Sequence, residues 1–129
     1  MDKRVSIEVP GLGHDNPIPA ACRKGPILIS STIAGKDQAT GKVVEGIEAQ
    51  CAHMFANMLA ILKAGGATAE DIVKFNVWLK DRSNRPYVNK HWTELFPDPH
   101  SRPARHTFAA PDLAEPVLVQ CEIMAVVSG

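Results

Sequence analysis

The chain has few cysteines, no long apolar run and no excess of charge of either sign, and each shortage argues against a class of protein. Its three cysteines, Cys22, Cys51 and Cys121, are an odd number with no paired spacing. A secreted domain of this size more often carries an even disulfide framework, so the pattern indicates reduced thiols. The apolar stretches are far shorter than the ~20 residues of a membrane span. The start, MDKRVSIEVP, does not resemble a signal peptide. We therefore expect a soluble, cytoplasmic protein with no membrane partner.

The charges balance. Lys and Arg together number 14, as do Asp and Glu, so the formal net charge is zero. Binding a phosphate backbone requires a clustered surplus of cations. The sequence therefore predicts no nucleic-acid partner, although the balance is compatible with a local basic site.

The common sequence patterns of metal and cofactor sites are also missing. The five histidines form no HExxH and no other coherent metal-ligand spacing, and there is no paired CxxC. The chain contains no GxSxG nucleophile elbow, no P-loop and no dinucleotide-binding glycine motif. We therefore expect no metal site.

The spacing of apolar residues predicts two helices. One runs from about Gly46 to Ala64, with an apolar stripe at helical spacing, and Gly65-Gly66 ends it. The stripe consists of Ile47, Cys51, Met54, Phe55, Met58, Leu59 and Leu62. A second helix is predicted from about Arg85 to Phe96, with Pro86 in its first turn.

Six strands are predicted around these helices. They are Val5 to Val9, Ala20 to Arg23, Ile27 to Ile33, Ile72 to Lys80, Ala104 to Phe108 and Val117 to Val127. The order is β-β-β-α-β-α-β-β, an α+β layout in which two helices can cover one face of a sheet. At 129 residues the chain has the usual length of one domain, and we expect residues 1–129 to form a single domain.

The last predicted strand is apolar on both sides. Val119, Cys121 and Ile123 lie on one side, whereas Leu118 and Met124 lie on the other. Two helices cover only one face, so the second would be an apolar patch larger than a monomer usually exposes. This pattern predicts a homo-oligomer.

Two charged residues lie within predicted strands and are candidates for chemistry. Glu122 is flanked by apolar residues, where a carboxylate is costly unless it is paired or hydrogen-bonded. Arg105 offers a planar fork that grips a carboxylate through two hydrogen bonds. The pattern leaves two simpler interpretations open: the two residues form a structural ion pair, or either one faces solvent.

The order of several motifs resembles the Rid (reactive intermediate deaminase) family, RidA/YjgF type. The similar segments are the loop at Asn16-Pro17, the strand with Ile29-Ser30-Ser31, the TGKVV turn, AILKAGGATAEDIVKFNVWLKD, VNKHWTELF, SRPAR and VQCEIMAVV. The resemblance extends from about Asn16 to Val127. Each motif alone is weak, but their order and spacing together are specific.

The resemblance implies a fold, an assembly and a reaction. The fold would be chorismate-mutase-like, with two helices on one face of a mixed sheet, assembled as a homotrimer with sites between subunits. The activity would be hydrolysis of reactive enamines or imines such as 2-aminoacrylate to 2-keto acids and ammonia, with no metal and no organic cofactor. Arg105 would bind the substrate carboxylate and Glu122 would position or activate the attacking water.

The other site residues implied by the resemblance include departures from the family pattern. Ser30 matches a pocket serine and Asn89 matches an asparagine of the second helix. Ile18 replaces the family's usual tyrosine, Ser31 replaces its glycine and Thr107 stands where many members have cysteine. These departures affect the substrate more than the reaction type.

Two alternative functions remain at this point. One is a pathway-specific deaminase of an aminomuconate-type ring-cleavage product, for which Arg102, His100 or His106 could supply a second cation beside Arg105. The other is a non-catalytic oligomer that binds keto acids or acts in stress, since fold alone does not prove activity.

Overall fold

The computed structural model describes residues 3–128 and contains two α-helices and a seven-stranded sheet. The helices are α1 (Ile47–Ala64) and α2 (Arg85–Leu95). The strands are β1 (Val5–Ile7), β2 (Ala21–Lys24), β3 (Ile27–Ser30), β4 (Ile33–Ala34), β5 (Ile72–Leu79), β6 (Ala104–Ala109) and β7 (Val119–Val126). The predicted α+β class with two helices and a mixed sheet is confirmed.

The sheet is antiparallel except at one edge. Its order is β1-β2-β3-β7-β5-β6, and the short strand β4 also pairs with β7. Strands β5 and β6 are parallel, with α2 in the connection between them. This connection brings β6, which carries Arg105, to the edge of the sheet beside β5.

The strand predicted from Ile27 to Ile33 is interrupted, and the prediction of one continuous strand is wrong. Ile29 pairs with Met124 and Ile33 pairs with Cys121, so residues 30–32 lie opposite residues 122–123. One side therefore carries an extra residue, as in a β-bulge. The Ser30 hydroxyl accepts a hydrogen bond from the Ile123 N–H at 2.9 Å, which pairs a backbone donor that the bulge would otherwise leave unpaired.

Helix α1 buries most of the predicted stripe, with one correction. Cys51, Met54 and Met58 are fully buried, whereas Leu59 is exposed and Ile61 is buried in its place. The helix begins at Ile47 because Gly46 has a φ of 89°, which is non-helical and favours glycine.

Gln50 connects α1 to two surrounding loops. Its Nε2 donates to the carbonyls of Val44 and Pro116, at 3.0 and 2.8 Å, and its Oε1 accepts from the Leu118 N–H at 2.8 Å. The side chain is only 1% exposed, so these bonds satisfy a buried amide and buried backbone groups.

The two helices cover the same face of the sheet. Phe75 on β5 stacks on Phe55 of α1 and contacts Trp92 of α2, with ring centroids 5.6 and 5.3 Å apart. Alternate residues of β5 and β7, among them Val77 and Ile123, complete the core on this side. Within residues 3–128, no helix is long and apolar enough to cross a membrane.

The opposite face of the sheet, here called the outer face, is partly apolar and uncovered in the single chain. Ile27 pairs with Val126 and Ile29 pairs with Met124, and these four side chains are 40 to 45% exposed. The second apolar face that the sequence predicts is therefore present. Its burial against other copies of the chain remains a prediction.

Candidate functional site

Arg105 extends over helix α2 from the edge strand β6. Its Nη1 donates to Asn89 Oδ1 at 2.7 Å and its Nε donates to Thr107 Oγ1 at 3.0 Å. The guanidinium carbon lies 5.2 Å from the centre of the Trp92 ring, a cation–π arrangement. Three neighbours therefore hold the guanidinium in one orientation.

The guanidinium has donors left for a ligand. Among the described residues, its Nη2 group donates to no acceptor, and no carboxylate lies within 4.0 Å of it. Partial burial and the nearby charge of Arg85 lower the pKa of Arg105. Because an arginine guanidinium is not deprotonated in proteins, the group still carries its charge at neutral pH. A half-buried, oriented cation with unpaired donors is suited to binding a carboxylate.

Glu122 lies in the middle of β7 on the outer face. Its Oε1 accepts a hydrogen bond from Asn76 Nδ2 at 3.2 Å, and the two residues are directly opposite in the β5–β7 register. The carboxylate borders a small recess of about 40 Å³, also lined by Ile29, Lys74 and Met124. The Asn76 bond fixes one carboxylate oxygen and leaves the other available.

Asn76 is a residue of this region that the sequence reading missed. Its Oδ1 is buried and has no hydrogen-bond partner in the part of the chain that the structure describes. Turning the amide over would place Oδ1 against the carboxylate, where two acceptors repel. The donor therefore faces Glu122 even though Oδ1 stays unpaired. Its place on the polar side of β5, with Lys74, gave no local signal that it faces Glu122, because that contact depends on strand register.

A cleft beside the bulge contains two more of the predicted residues. It has a volume of about 180 Å³, and its lining includes Ile18, Ser31 and Gln120. The Ser31 hydroxyl donates to the Pro19 carbonyl at 2.7 Å, which ties the Ile18 loop to the bulge. Gln120 is two residues before Glu122 on β7 and therefore lies on the same face of the sheet.

Ser30 has a different environment from Ser31. It is 6% exposed, and its hydroxyl is the acceptor for the Ile123 N–H. The hydroxyl therefore has a structural role in the bulge, and its predicted contact with substrate remains a prediction.

Arg105 and Glu122 lie on opposite faces of the sheet. Phe75 of the core pairs with Arg105, whereas the next residue, Asn76, pairs with His106 and Glu122. The possibility that Arg105 and Glu122 form an ion pair within one chain is therefore excluded. His106 points away from Arg105, as strand alternation predicts, and stacks on Phe108 with ring centroids 3.9 Å apart.

The predicted residues thus form two separate groups within one chain. Arg105, Asn89 and Thr107 form the arginine group on the helix side, and Glu122, Ile18 and Ser31 belong to the outer-face group at and beside the bulge. In residues 3–128, no three His, Cys, Asp or Glu side chains converge on a point that could hold a metal ion.

Comparison with known proteins identifies the family. Residues 16–127 match the family model described as Endoribonuclease L-PSP, which covers most of the chain. The chain belongs to the Rid/YjgF/RutC family. This assignment confirms the resemblance inferred from the motif order.

Relatives and solved structures of the Rid family extend the comparison. A RutC family protein of Aquifex aeolicus is 35% identical over 102 residues, covering 79% of this chain and 81% of its own length. A 2-iminobutanoate/2-iminopropanoate deaminase of Salmonella typhimurium is 32% identical over 103 residues, covering 79% of this chain and 80% of its own. Among solved structures, the Rid-family protein YyfA of Yersinia pestis has a TM-score of 0.89 and 28% identity, covering 97% of this chain and 100% of its own.

Proposed function

We propose that this Rid protein hydrolyses imines and enamines of 2-amino acids to 2-keto acids and ammonia. The observation that carries the proposal is the half-buried Arg105 guanidinium, oriented by Asn89, Thr107 and Trp92 with donors free for a carboxylate. Support also comes from relatives about 30% identical that are named 2-iminobutanoate/2-iminopropanoate deaminases.

The chemistry requires an oriented imine and a positioned water. Arg105 would bind the substrate carboxylate, which fixes the adjacent imine carbon. An enamine would first take a proton at its terminal carbon to become the imine. Water would then attack the imine carbon while Glu122 accepts its proton, a general-base role worth ~10²–10⁴ in rate. Glu122 would then return that proton to the nitrogen of the carbinolamine and take the hydroxyl proton as the C–N bond breaks, which would release ammonia and the 2-keto acid.

A site that uses both residues needs more than one copy of the chain, because the sheet separates them. We propose a homotrimer in which the arginine group of one subunit faces Glu122 and the bulge cleft of the next. The exposed apolar pairs Ile27–Val126 and Ile29–Met124 would provide the contact surface. Closed cyclic symmetry would repeat the same cleft at every interface.

Two of the departures from the family pattern, Ile18 and Thr107, would change which substrates the pocket accepts. Ile18 presents an apolar side chain, 43% exposed, to the cleft where a tyrosine would offer a hydroxyl. Thr107 accepts a hydrogen bond from Arg105 and so orients the guanidinium. We further propose that the protein uses no metal and no organic cofactor, has no nucleic-acid partner and is cytoplasmic.

The first experiment times keto-acid formation from an unstable imine. A threonine dehydratase generates 2-iminobutanoate in the presence of semicarbazide, which captures the imine and competes with hydrolysis. Wild type should accelerate 2-oxobutanoate formation, and Arg105→Ala should lose this effect. Arg102→Ala is the matched control, since Arg102 donates to the Phe96 carbonyl at 2.8 Å and belongs to no part of the proposed site. Absence of any acceleration by folded wild type would refute the proposal.

The second experiment tests whether the site is shared between subunits. Arg105→Ala and Glu122→Gln chains are denatured, mixed in equal amounts and refolded, with each variant refolded alone as the control. Random mixing in a homotrimer would give about a quarter of the clefts an intact pair, so about a quarter of wild-type activity should return. Mixed trimers with no recovered activity would refute the shared site, and light scattering of wild type would reveal an assembly other than a trimer.

A further inference from the structure

Helix α2 presents a stripe of three residues toward Arg105. Trp92 lies beneath its guanidinium and Asn89 accepts from its Nη1. Residues three and four apart share a helix face, so Arg85, four residues before Asn89, is the next member of this stripe. The three residues run toward the N-terminus of the helix, which begins at Arg85.

The guanidinium of Arg105 therefore lies above the middle of a stripe that ends in a second arginine. Four residues advance an α-helix by about 6 Å, which separates the backbone positions of Arg85 and Asn89. Long side chains at such positions can reach a common ligand. The charge of Arg85 lowers the pKa of Arg105, in agreement with this proximity.

No carboxylate neutralises the two arginines. Across residues 3–128, no Asp or Glu oxygen lies within 4.0 Å of either guanidinium. The first residues of α2 contain no acidic side chain either, although a carboxylate there would be favoured by the helix dipole. Two neighbouring cations without a counter-charge favour a ligand that carries more than one negative group.

The three residues that the sequence suggests as a second cation are less suitable than Arg85 for binding a second carboxylate. His106 points to the other face of the sheet. Arg102 donates to the Phe96 carbonyl. His100 belongs to the turn after α2, in which its backbone N–H donates to Asp98.

We infer that Arg85 is a specificity-determining residue that binds a second carboxylate of the substrate, so that the preferred substrates are imines of acidic 2-amino acids. This inference rests on the proposed function, because it takes Arg105 as the group that binds the first carboxylate. Arg85 acts on the remote end of the substrate and takes no part in proton transfer. Its exposure to solvent makes its contribution sensitive to salt.

The test compares two imines generated by amino-acid oxidation, 2-iminoglutarate from glutamate and 2-iminobutanoate from 2-aminobutanoate. The measured quantity is the ratio of kcat/KM for the dicarboxylate to kcat/KM for the monocarboxylate. Arg85→Gln should lower this ratio about tenfold, the loss of one charge-assisted hydrogen bond. Arg85→Lys should retain part of it. Lys90→Gln removes the same charge from a different face of α2 and should leave the ratio at the wild-type value.

A binding measurement separates this inference from the proposed function. Calorimetry compares the affinities of 2-oxoglutarate and 2-oxobutanoate for wild type, Arg85→Gln and Lys90→Gln. A preference for the dicarboxylate that disappears only in Arg85→Gln supports the inference, even if wild type hydrolyses neither imine and the deaminase proposal fails. Equal affinities in wild type, or an unchanged preference in Arg85→Gln, overturn the inference while the monocarboxylate assay still decides the deaminase proposal.

Discussion

The substitution Arg105→Lys tests whether carboxylate binding needs the planar, two-donor geometry of the guanidinium or only its positive charge. Lysine keeps the positive charge but has neither the planar fork nor the stacking surface. It would lose the paired bonds to Asn89 and Thr107 and the contact with Trp92. The ammonium group would then be free to take several positions instead of one.

The magnitude follows from the bonds that the substrate would lose. A bidentate grip replaced by a single contact loses about one charge-assisted hydrogen bond, worth about 1.5–3 kcal/mol. This corresponds to a loss in kcat/KM of roughly 10- to 150-fold. Because the carboxylate is bound both before and during the reaction, most of the loss should appear as a higher KM. We expect little change in the free energy of unfolding, since the side chain lies at a partly exposed edge of the sheet.

The assay is the semicarbazide competition with 2-iminobutanoate over a range of substrate supply. Arg102→Lys makes the same chemical change in an arginine outside the arginine group and should retain wild-type kcat/KM. If Arg105→Lys also stays within about twofold of wild type while Arg105→Ala is inactive, charge alone suffices and the argument from fork geometry is wrong.

Three further predictions follow from hydrogen bonding and burial. Asn76→Ala should lower kcat about tenfold in the same assay, because Glu122 loses the side-chain donor that orients it; an unchanged kcat would contradict this role. Gln50→Leu should lower the free energy of unfolding by about 3 kcal/mol in urea titrations, because it removes three buried hydrogen bonds; a loss below about 1 kcal/mol would count against it. Burial raises the pKa of Cys51 to about 11, whereas an unfolded thiol ionises near 8.5. Above that pH the unfolded state loses a proton that the folded state keeps, so stability should fall toward pH 11 by up to about 1.4 kcal/mol per pH unit. Burial also raises the pKa of the Cys121 thiol, which contributes to the same fall. Cys51→Ala should therefore reduce the slope by about 1.4 kcal/mol per pH unit in urea titrations at constant protein concentration, and an unchanged slope in the variant would refute the assignment.

The sequence predicts the helices and strands that have a recognisable hydrophobic periodicity along the chain. Helix α1 and strand β5 were found because one has an apolar stripe at helical spacing and the other alternates apolar and polar residues. The break between β3 and β4 was missed because residues 27–33 read as one strand. The bulge depends on the bond between Ser30 and Ile123, which are 93 residues apart in the chain, and no local pattern reports such a contact.

The candidate site was predicted in part. Arg105 and Glu122 attracted attention as charges within strands, and the motif order associated them with the Rid family. Strand register brings Asn76 into contact with Glu122. The placement of α2 puts Arg85 on the stripe that contacts Arg105. These depend on how distant segments pair, which a single sequence does not report.

The sequence by itself determined the fold class, the family and the two charged residues on which the proposal rests, because periodicity and motif order are properties of the chain. Only the tertiary structure decided which of these residues share a face. A shift of one residue in strand pairing moves a side chain from one face of a sheet to the other. The observed register places Arg105 beside Phe75 and Glu122 beside Asn76, on opposite faces. For that physical reason, a site that uses both residues must be built from two copies of the chain.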